Sequence, residues 1–122
     1  MAAKSNQPAK KSFKALFRLY KGDEIALGPG KAELLGHIAE TGSISEAARR
    51  MEMSYNRAWL LVRTMNRCFK EPLVLSSRGG DKRGGAQLTK AGKEVLRLYQ
   101  QFETKFATAT RQPLRELLSR LK

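Results

Sequence analysis

Residues 43–69 constrain the fold more than any other part of the chain, because two helical patterns meet there across a very short turn. The first begins at Ser43, and its apolar face consists of Ile44, Ala47, Ala48 and Met51. The paired alanines are small enough to let another helix cross at close range. Glu52 and Met53 form the turn, and Ser54 is a good N-cap for a second helix because its hydroxyl can accept a backbone N–H.

The second helical pattern has one apolar side and one polar side. Its apolar stripe recurs at steps of three and four residues, as expected for one buried helix face: Ala58, Leu61, Val62, Met65 and Phe69. At about 100° per residue, the opposite face carries Asn56, Leu60, Arg63 and Arg67. Tyr55, Trp59 and Lys70 lie toward one flank and Arg57 toward the other. Pro72 is expected to end the helix.

Shorter patterns surround this pair of helices. Residues 13–27 predict a β-hairpin that turns at 21–23. A helix is expected from Lys31 to Thr41. After Pro72 we expect a strand at 73–75, a glycine-rich basic loop at 76–86 and a return strand at 87–88. Thr89 then caps a long helix that breaks or kinks at Pro113.

This order predicts an α+β fold, mainly α: a winged helix-turn-helix with an N-terminal β-hairpin and a long C-terminal dimerisation helix. We assign residues 1–12 to a disordered basic tail and 13–88 to the DNA-binding domain. Residues 89–122 form the expected helical dimerisation segment. The tail is interpreted as a solubilising terminus, with a DNA-contacting arm as the alternative.

The charge distribution indicates a polyanionic partner. Lys and Arg total 24 against 11 Asp and Glu, for a net charge of +13. Such a surplus attracts phosphates and displaces their counterions, although ribosomal, membrane-surface and regulatory proteins share it. Residues 54–90 hold eight basic and two acidic residues, whereas 15–53 are nearly neutral. The surplus is therefore concentrated in the basic tail and from Ser54 onward, a region that includes the second helix and the glycine-rich loop.

An α-helix fits the DNA major groove, and the residues at its N-terminus reach base edges. A cationic, glycine-rich hairpin can lie along phosphate or in an adjacent minor groove. The predicted DNA-binding residues are Ser54, Tyr55, Asn56, Arg57 and Arg63 on the helix, and Arg78, Lys82 and Arg83 in the loop. Trp59 is expected to form a wall between the helix and the loop. For Leu60 two roles remain open: contact with a thymine methyl group, or packing against the wing or a partner.

Several segments together resemble the helix-turn-helix of LysR-type regulators, and more closely the N-terminal domain of ModE-type, molybdate-responsive regulators. They are 41–48 (TGSISEAA), 53–59 (MSYNRAW), 65–66 (MN), 71–74 (EPLV), the glycine pairs 79–80 and 84–85, 86–89 (AQLT) and Gly92. The resemblance covers about residues 13–106. It implies a winged-helix dimer that binds operator DNA through its helix-turn-helix. Asp81, Lys82 and Arg83 depart from the family's more glycine-rich wing.

ModE-type regulators carry C-terminal oxyanion-binding domains, whereas this sequence continues into a basic amphipathic helix up to Lys122. We therefore expect no molybdate site and no cofactor in this chain. A cytoplasmic, nucleoid-associated bacterial protein without membrane contact is the simplest expectation. The rival functions are a non-specific nucleic-acid-binding architectural protein and a helix-turn-helix protein-interaction module.

The long C-terminal helix carries a wider apolar stripe than a lone terminal helix can bury on a small domain. We expect a homodimer on a near-palindromic operator, since two recognition helices would enter successive major grooves. The predicted interface residues are Leu34, Ile38, Val95, Leu98, Tyr99, Phe102 and Phe106. The alternative is that this stripe packs only within its own chain.

Residues that could support chemistry are few. His37, the sole histidine, has no cysteine or histidine at ligand spacing, which favours a packing or surface role over metal binding. Cys68, the sole cysteine, is interpreted as a core thiol beside Phe69. The glycine pairs lack the Gly-Lys-Ser/Thr continuation of a nucleotide-binding loop. No catalytic constellation is recognised, and we do not expect an enzyme.

Overall fold

The structure is a computed structural model, and it describes residues 9–77 and 85–122. In chain order its elements are β1 (Leu19–Lys21), β2 (Glu24–Leu27), α1 (Pro29–Thr41), α2 (Ile44–Arg50), α3 (Tyr55–Cys68), β3 (Val74–Ser76), β4 (Ala86–Leu88), α4 (Lys90–Ala109) and α5 (Arg111–Ser119). The predicted mainly α fold with an N-terminal hairpin is confirmed. Within these ranges no helix is both long and apolar enough to cross a membrane.

The helix α1 begins two residues before the predicted start at Lys31. Pro29 occupies its first turn, where a missing N–H costs no helical hydrogen bond and the fixed φ favours the helix. At the other end Gly42 adopts φ 71° and donates its N–H to the carbonyl of Ile38 at 2.8 Å. Glycine is favoured there because a side chain would be strained in the left-handed region.

Two serines begin the next two helices, as predicted. The Ser43 hydroxyl accepts the backbone N–H of Glu46 at 3.0 Å, and the Ser54 hydroxyl accepts that of Arg57 at 3.1 Å. In the turn between α2 and α3, Glu52 has φ 56°, which only glycine adopts without strain. A backbone reversal this tight requires one residue in that region.

The core lies where α1, α2 and α3 cross. Leu34 and Ile38 are 0% exposed, and the small residues Ala47 and Ala58 are also fully buried, which lets the helices approach closely. The packing corrects part of the predicted dimer interface: Leu34 and Ile38 are enclosed by their own chain and present no surface to a partner. Val62, Met65 and Leu73 complete the centre of this core.

The helix α3 ends at Cys68, four residues before Pro72, so the chain leaves the helix before the proline that was expected to end it. The turn is held by Asn66. Its side-chain oxygen accepts the backbone N–H groups of Leu73 at 2.8 Å and Val74 at 3.1 Å, and its amide donates to the carbonyl of Val74 at 3.0 Å.

The strands β3 and β4 pair antiparallel, with Val74 opposite Leu88 and Ser76 opposite Ala86. We call this hairpin and its loop, residues 74–88, the wing. The strand β3 lies one residue after its predicted bounds, and β4 begins one residue before its predicted start and ends where predicted. The N–H of Ala86 bonds to the carbonyl of Gly42 at 2.9 Å, which ties the wing base to the turn between α1 and α2.

The helix α4 packs across the wing base and the N-terminal segment. Thr89 caps it by accepting the N–H of Gly92 at 2.9 Å. The Tyr99 hydroxyl donates to the carbonyl of Phe17 at 2.8 Å, and the ring of Phe17 packs edge-on against Phe102 and Phe106. The helix stops at Ala109, so the expected break precedes Pro113, which lies in the first turn of α5.

Candidate nucleic-acid interface

The outward side of α3 is the candidate interface. Ala58, Val62 and Met65 point into the core, which fixes the rotation of the helix about its axis. The residues turned to solvent in its first three turns are Tyr55, Asn56, Arg57, Trp59, Leu60 and Arg63. Ser54 is exposed but its hydroxyl is engaged with the N–H of Arg57, so it positions the start of the helix. The predicted residues of this helix therefore share one surface.

The arginines of α3 differ in whether they form a salt bridge. Among the described residues, neither Arg57 nor Arg63 forms a salt bridge, whereas Arg67 pairs with the carboxylate of Glu24 in β2. That hydrogen bond holds the pKa of the Glu24 carboxyl below its usual range. The charge near the C-terminus of α3 is thus neutralised by the hairpin. The N-terminal half of the helix keeps its positive charge.

Cys68 occupies a different environment from the predicted one. It is partly exposed, and its thiol lies 3.5 Å from the Glu24 carboxylate instead of inside the core. Partial burial first, and then the neighbouring carboxylate, raise the pKa of the Cys68 thiol. A raised pKa disfavours the thiolate, which is the nucleophilic form of cysteine.

A second set of basic side chains lies on α2, which precedes α3. Arg49 pairs with Glu46, and Arg50 donates to the Glu40 carboxylate at 2.6 Å. Arg50 also lies 3.4 Å from Nδ1 of His37, which is half-buried beside it. Both ion pairs are exposed; the Arg49–Glu46 pair lies within α2, whereas the Arg50–Glu40 pair ties α2 to α1. No group of three or more His, Cys, Asp or Glu within 9–77 and 85–122 has the geometry to hold a metal ion.

The wing base is closed by backbone hydrogen bonds. The N–H of Ser77 bonds to the carbonyl of Gly85 at 2.8 Å, which closes the base just below the loop. A Cβ at Gly85 would lie 3.3 Å from the carbonyl oxygen of Gly42, so the wing base approaches the turn between α1 and α2 closely here. The predicted phosphate-contacting residues Arg78, Lys82 and Arg83 lie outside the described residues.

The apolar stripe of α4 is divided between the core and the surface. Tyr99 is buried in its own chain, and Val95 and Phe106 are partly buried. Leu98 and Phe102 are 47% and 56% exposed and border a groove of about 330 Å³, which continues to Phe17, Leu19 and Phe69. Of the predicted interface residues, these two remain the most accessible apolar side chains.

Sequence reasoning missed the structural role of Asn66. The sequence feature that could have indicated this role is a polar residue beside the buried stripe, shortly before a proline. Arg67 was placed correctly on the outward face, but its pairing with Glu24, 43 residues away, leaves no local signature.

Comparisons with known proteins agree with this geometry. The family model described as "Bacterial regulatory helix-turn-helix protein, lysR family" matches residues 31–93, from α1 to the first turn of α4. The chain is 38% identical over 84 residues to the molybdenum transport protein ModE of Azotobacter vinelandii. It is 41% identical over 84 residues to the DNA-binding transcriptional dual regulator ModE of Escherichia coli K12. Each match covers 69% of this chain but only 31% and 32% of those proteins, so the chain spans about a third of their length.

Two solved structures share the fold. A CbnR_DBD–DNA complex superposes with a TM-score of 0.54 at 19% identity, covering 70% of this chain and 95% of that one. A MepR–DNA complex from S. aureus superposes with a TM-score of 0.53 at 18% identity, covering 79% of each chain. At these identities the likeness concerns the fold, and it confirms the winged helix-turn-helix. With the family model matching just over half of its length, the chain belongs to the lysR family of bacterial regulatory helix-turn-helix proteins.

Proposed function

We propose that this protein is a sequence-specific DNA-binding transcriptional regulator that places α3 in the major groove. One observation carries the proposal: the first nine residues of α3 present Asn56, Arg57 and Arg63 to solvent, and within the described residues neither arginine has an acidic partner. The buried side of the helix holds this surface outward. The E. coli relative named a DNA-binding regulator and the two DNA-bound structures of the same fold support this function.

Each side chain has a role that follows from its chemistry. Asn56 and Arg57 lie in the first turn, where asparagine can pair with adenine and arginine with guanine through two hydrogen bonds. Tyr55 lies in the same turn and Arg63 lies about two turns further along the helix; both supply phosphate or base contacts. Ser54 holds the first turn in shape through its bond to the N–H of Arg57. Trp59, which is exposed on the flank of the helix, would form a wall between the helix and the wing.

The wing would hold the DNA backbone. Arg78, Lys82 and Arg83 supply positive charge near the loop, and the bond from Ala86 to Gly42 anchors its base close to the helix-turn-helix. Phosphate contacts of this kind add affinity without sequence information. Neutralising one of these cations should reduce the slope of log K against log salt by about one unit, with sequence preference unchanged.

The protein would act as a homodimer on a near-palindromic operator. The exposed Leu98 and Phe102 and the groove beside them offer an apolar surface on α4, with Val95 and Phe106 at its margin. Burying such a surface against a second copy removes apolar area from water. Light scattering on a size-exclusion column tests this directly, since a strict monomer at micromolar concentration contradicts the dimer.

The decisive experiment measures sequence discrimination. Duplexes selected by the wild-type protein from a random library are compared with unselected duplexes at several salt concentrations. Asn56→Ala and Arg57→Ala should each reduce the discrimination by about 1–3 kcal/mol per lost contact. Lys122→Ala, at the far end of the chain, serves as the charge control. Equal affinity for selected and random duplexes would favour an architectural protein, and the absence of salt-dependent binding would favour a protein-interaction module.

A further inference from the structure

Leu60 is an apolar side chain at the centre of a polar surface. It is 59% exposed on the outward face of α3, one helical turn after Asn56 and one turn before Arg63. Residues three and four apart on a helix have Cβ atoms roughly 5–6 Å apart, so the three side chains form one continuous strip. The packing that buries Ala58 and Val62 turns Leu60 away from its own core.

Resting on the proposed DNA-binding role of α3, we propose that Leu60 determines specificity by contacting the 5-methyl group of a thymine in the major groove. Asparagine and arginine recognise donors and acceptors on base edges, whereas the thymine methyl is the apolar group that these edges present. A leucine between two polar readers complements that methyl. Because Leu60 lies one turn from Asn56, the thymine should fall within about two base pairs of the base that Asn56 contacts.

The surrounding charge favours DNA over a second protein molecule as the occupant of this surface. Leu60 lies between Arg57 and Arg63 along the helix, and no salt bridge neutralises either arginine within the described residues. A second copy of this chain would bring the same cations against them, whereas DNA brings phosphates to both sides of the groove. The apolar surface at Leu98 and Phe102 on α4 is the one we assign to a second copy.

The test uses a duplex selected by the wild-type protein from a random library, in which thymines are replaced one at a time by uracil. Uracil lacks only the methyl group, so hydrogen bonding is unchanged. At one position in each half-site the wild-type protein should bind about fourfold more weakly to the uracil duplex, the effect expected from one methyl group returned to water. Leu60→Ala should abolish that difference, and Leu60→Met should largely retain it.

The controls separate this inference from the proposed function. Leu16→Ala removes a leucine of similar exposure (61%) that lies outside α3, and it should keep the full uracil effect. If the wild-type protein selects no sequence, the proposed function fails. If it selects one but the uracil effect is equally large in Leu60→Ala, or is absent at every position, only the role of Leu60 fails. Weaker self-association of Leu60→Ala with an unchanged uracil effect would assign Leu60 to a protein contact instead.

Discussion

The side-chain oxygen of Asn66 accepts the backbone N–H of Leu73 at 2.8 Å and so joins the last turn of α3 to the residue directly before β3, the first strand of the wing. Leu73 is fully buried, so water cannot reach its N–H and replace this acceptor. The same side chain makes two further bonds to Val74. One asparagine therefore couples the helix proposed to read bases with the hairpin proposed to hold phosphates.

Asn66→Ala should lower the free energy of unfolding by about 2 kcal/mol, because it leaves buried backbone groups without partners. The change should be measured by urea denaturation followed by circular dichroism. Asn56→Ala is the matched control, since it removes the same residue type from the exposed face of the same helix. It should change stability by less than about 0.5 kcal/mol. Equal effects of the two substitutions would contradict the structural role of Asn66.

Tyr99→Phe should cost about 1 kcal/mol, because it removes the hydrogen bond to the Phe17 carbonyl while keeping the ring. Chemical denaturation at pH 7 measures this loss. Tyr55→Phe, which changes an exposed tyrosine, should leave stability unchanged. A destabilisation as large for Tyr55→Phe as for Tyr99→Phe would show that the bond contributes nothing.

The same tyrosine predicts a dependence of stability on alkaline pH. Burial, and then the charge of Glu103, raise the pKa of the Tyr99 hydroxyl above its ordinary value, so the folded state favours the neutral form. The contribution is complete below the pKa of an unfolded tyrosine, about 10, and is lost as pH rises through the higher folded value. The stability advantage of wild type over Tyr99→Phe should therefore shrink above about pH 10. A constant difference between pH 8 and 11 would contradict this.

Gly92→Ala should be strongly destabilising. A Cβ at Gly92 would lie 2.1 Å from the carbonyl oxygen of Leu73, so α4 would have to move away from the wing base. We expect a loss of about 1–3 kcal/mol in thermal or chemical unfolding. Gly36→Ala in α1 is the control, because no atom lies within 4 Å of the added methyl; it should be neutral or stabilising by up to about 1 kcal/mol. A stabilised Gly92→Ala protein would refute the close approach.

Glu52→Gly should raise the free energy of unfolding by about 0.5–1 kcal/mol, since glycine relieves the left-handed backbone at φ 56°. The gain is reduced by the larger conformational entropy of glycine in the unfolded chain. Glu52→Ala removes the same charge without relieving the backbone and should gain nothing. If alanine and glycine stabilise equally, the effect comes from the carboxylate and not from the turn.

The sequence by itself determined the features that depend on neighbouring residues. The spacing of Ala58, Val62 and Met65 predicted which side of α3 is buried, and Ser43 and Ser54 predicted where two helices begin. These signals are local: a helix face repeats every three or four residues, and a cap acts within one turn. Because that side of α3 is buried, Arg57 and Arg63 were predicted to lie on its exposed side.

Only the tertiary structure decided which apolar residues remain accessible and which polar residues are engaged. Leu34 and Ile38 matched an interface pattern as well as Leu98 and Phe102 did, yet the crossing of α1, α2 and α3 encloses the first pair. Arg67 and Arg63 look alike along the helix, yet β2 brings Glu24 to one of them. The tertiary structure likewise decided the environment of Cys68, because β2 places a carboxylate beside its thiol. These outcomes depend on residues far apart in the chain. Helical periodicity indicates which residues share a face, but it does not indicate which element packs against that face.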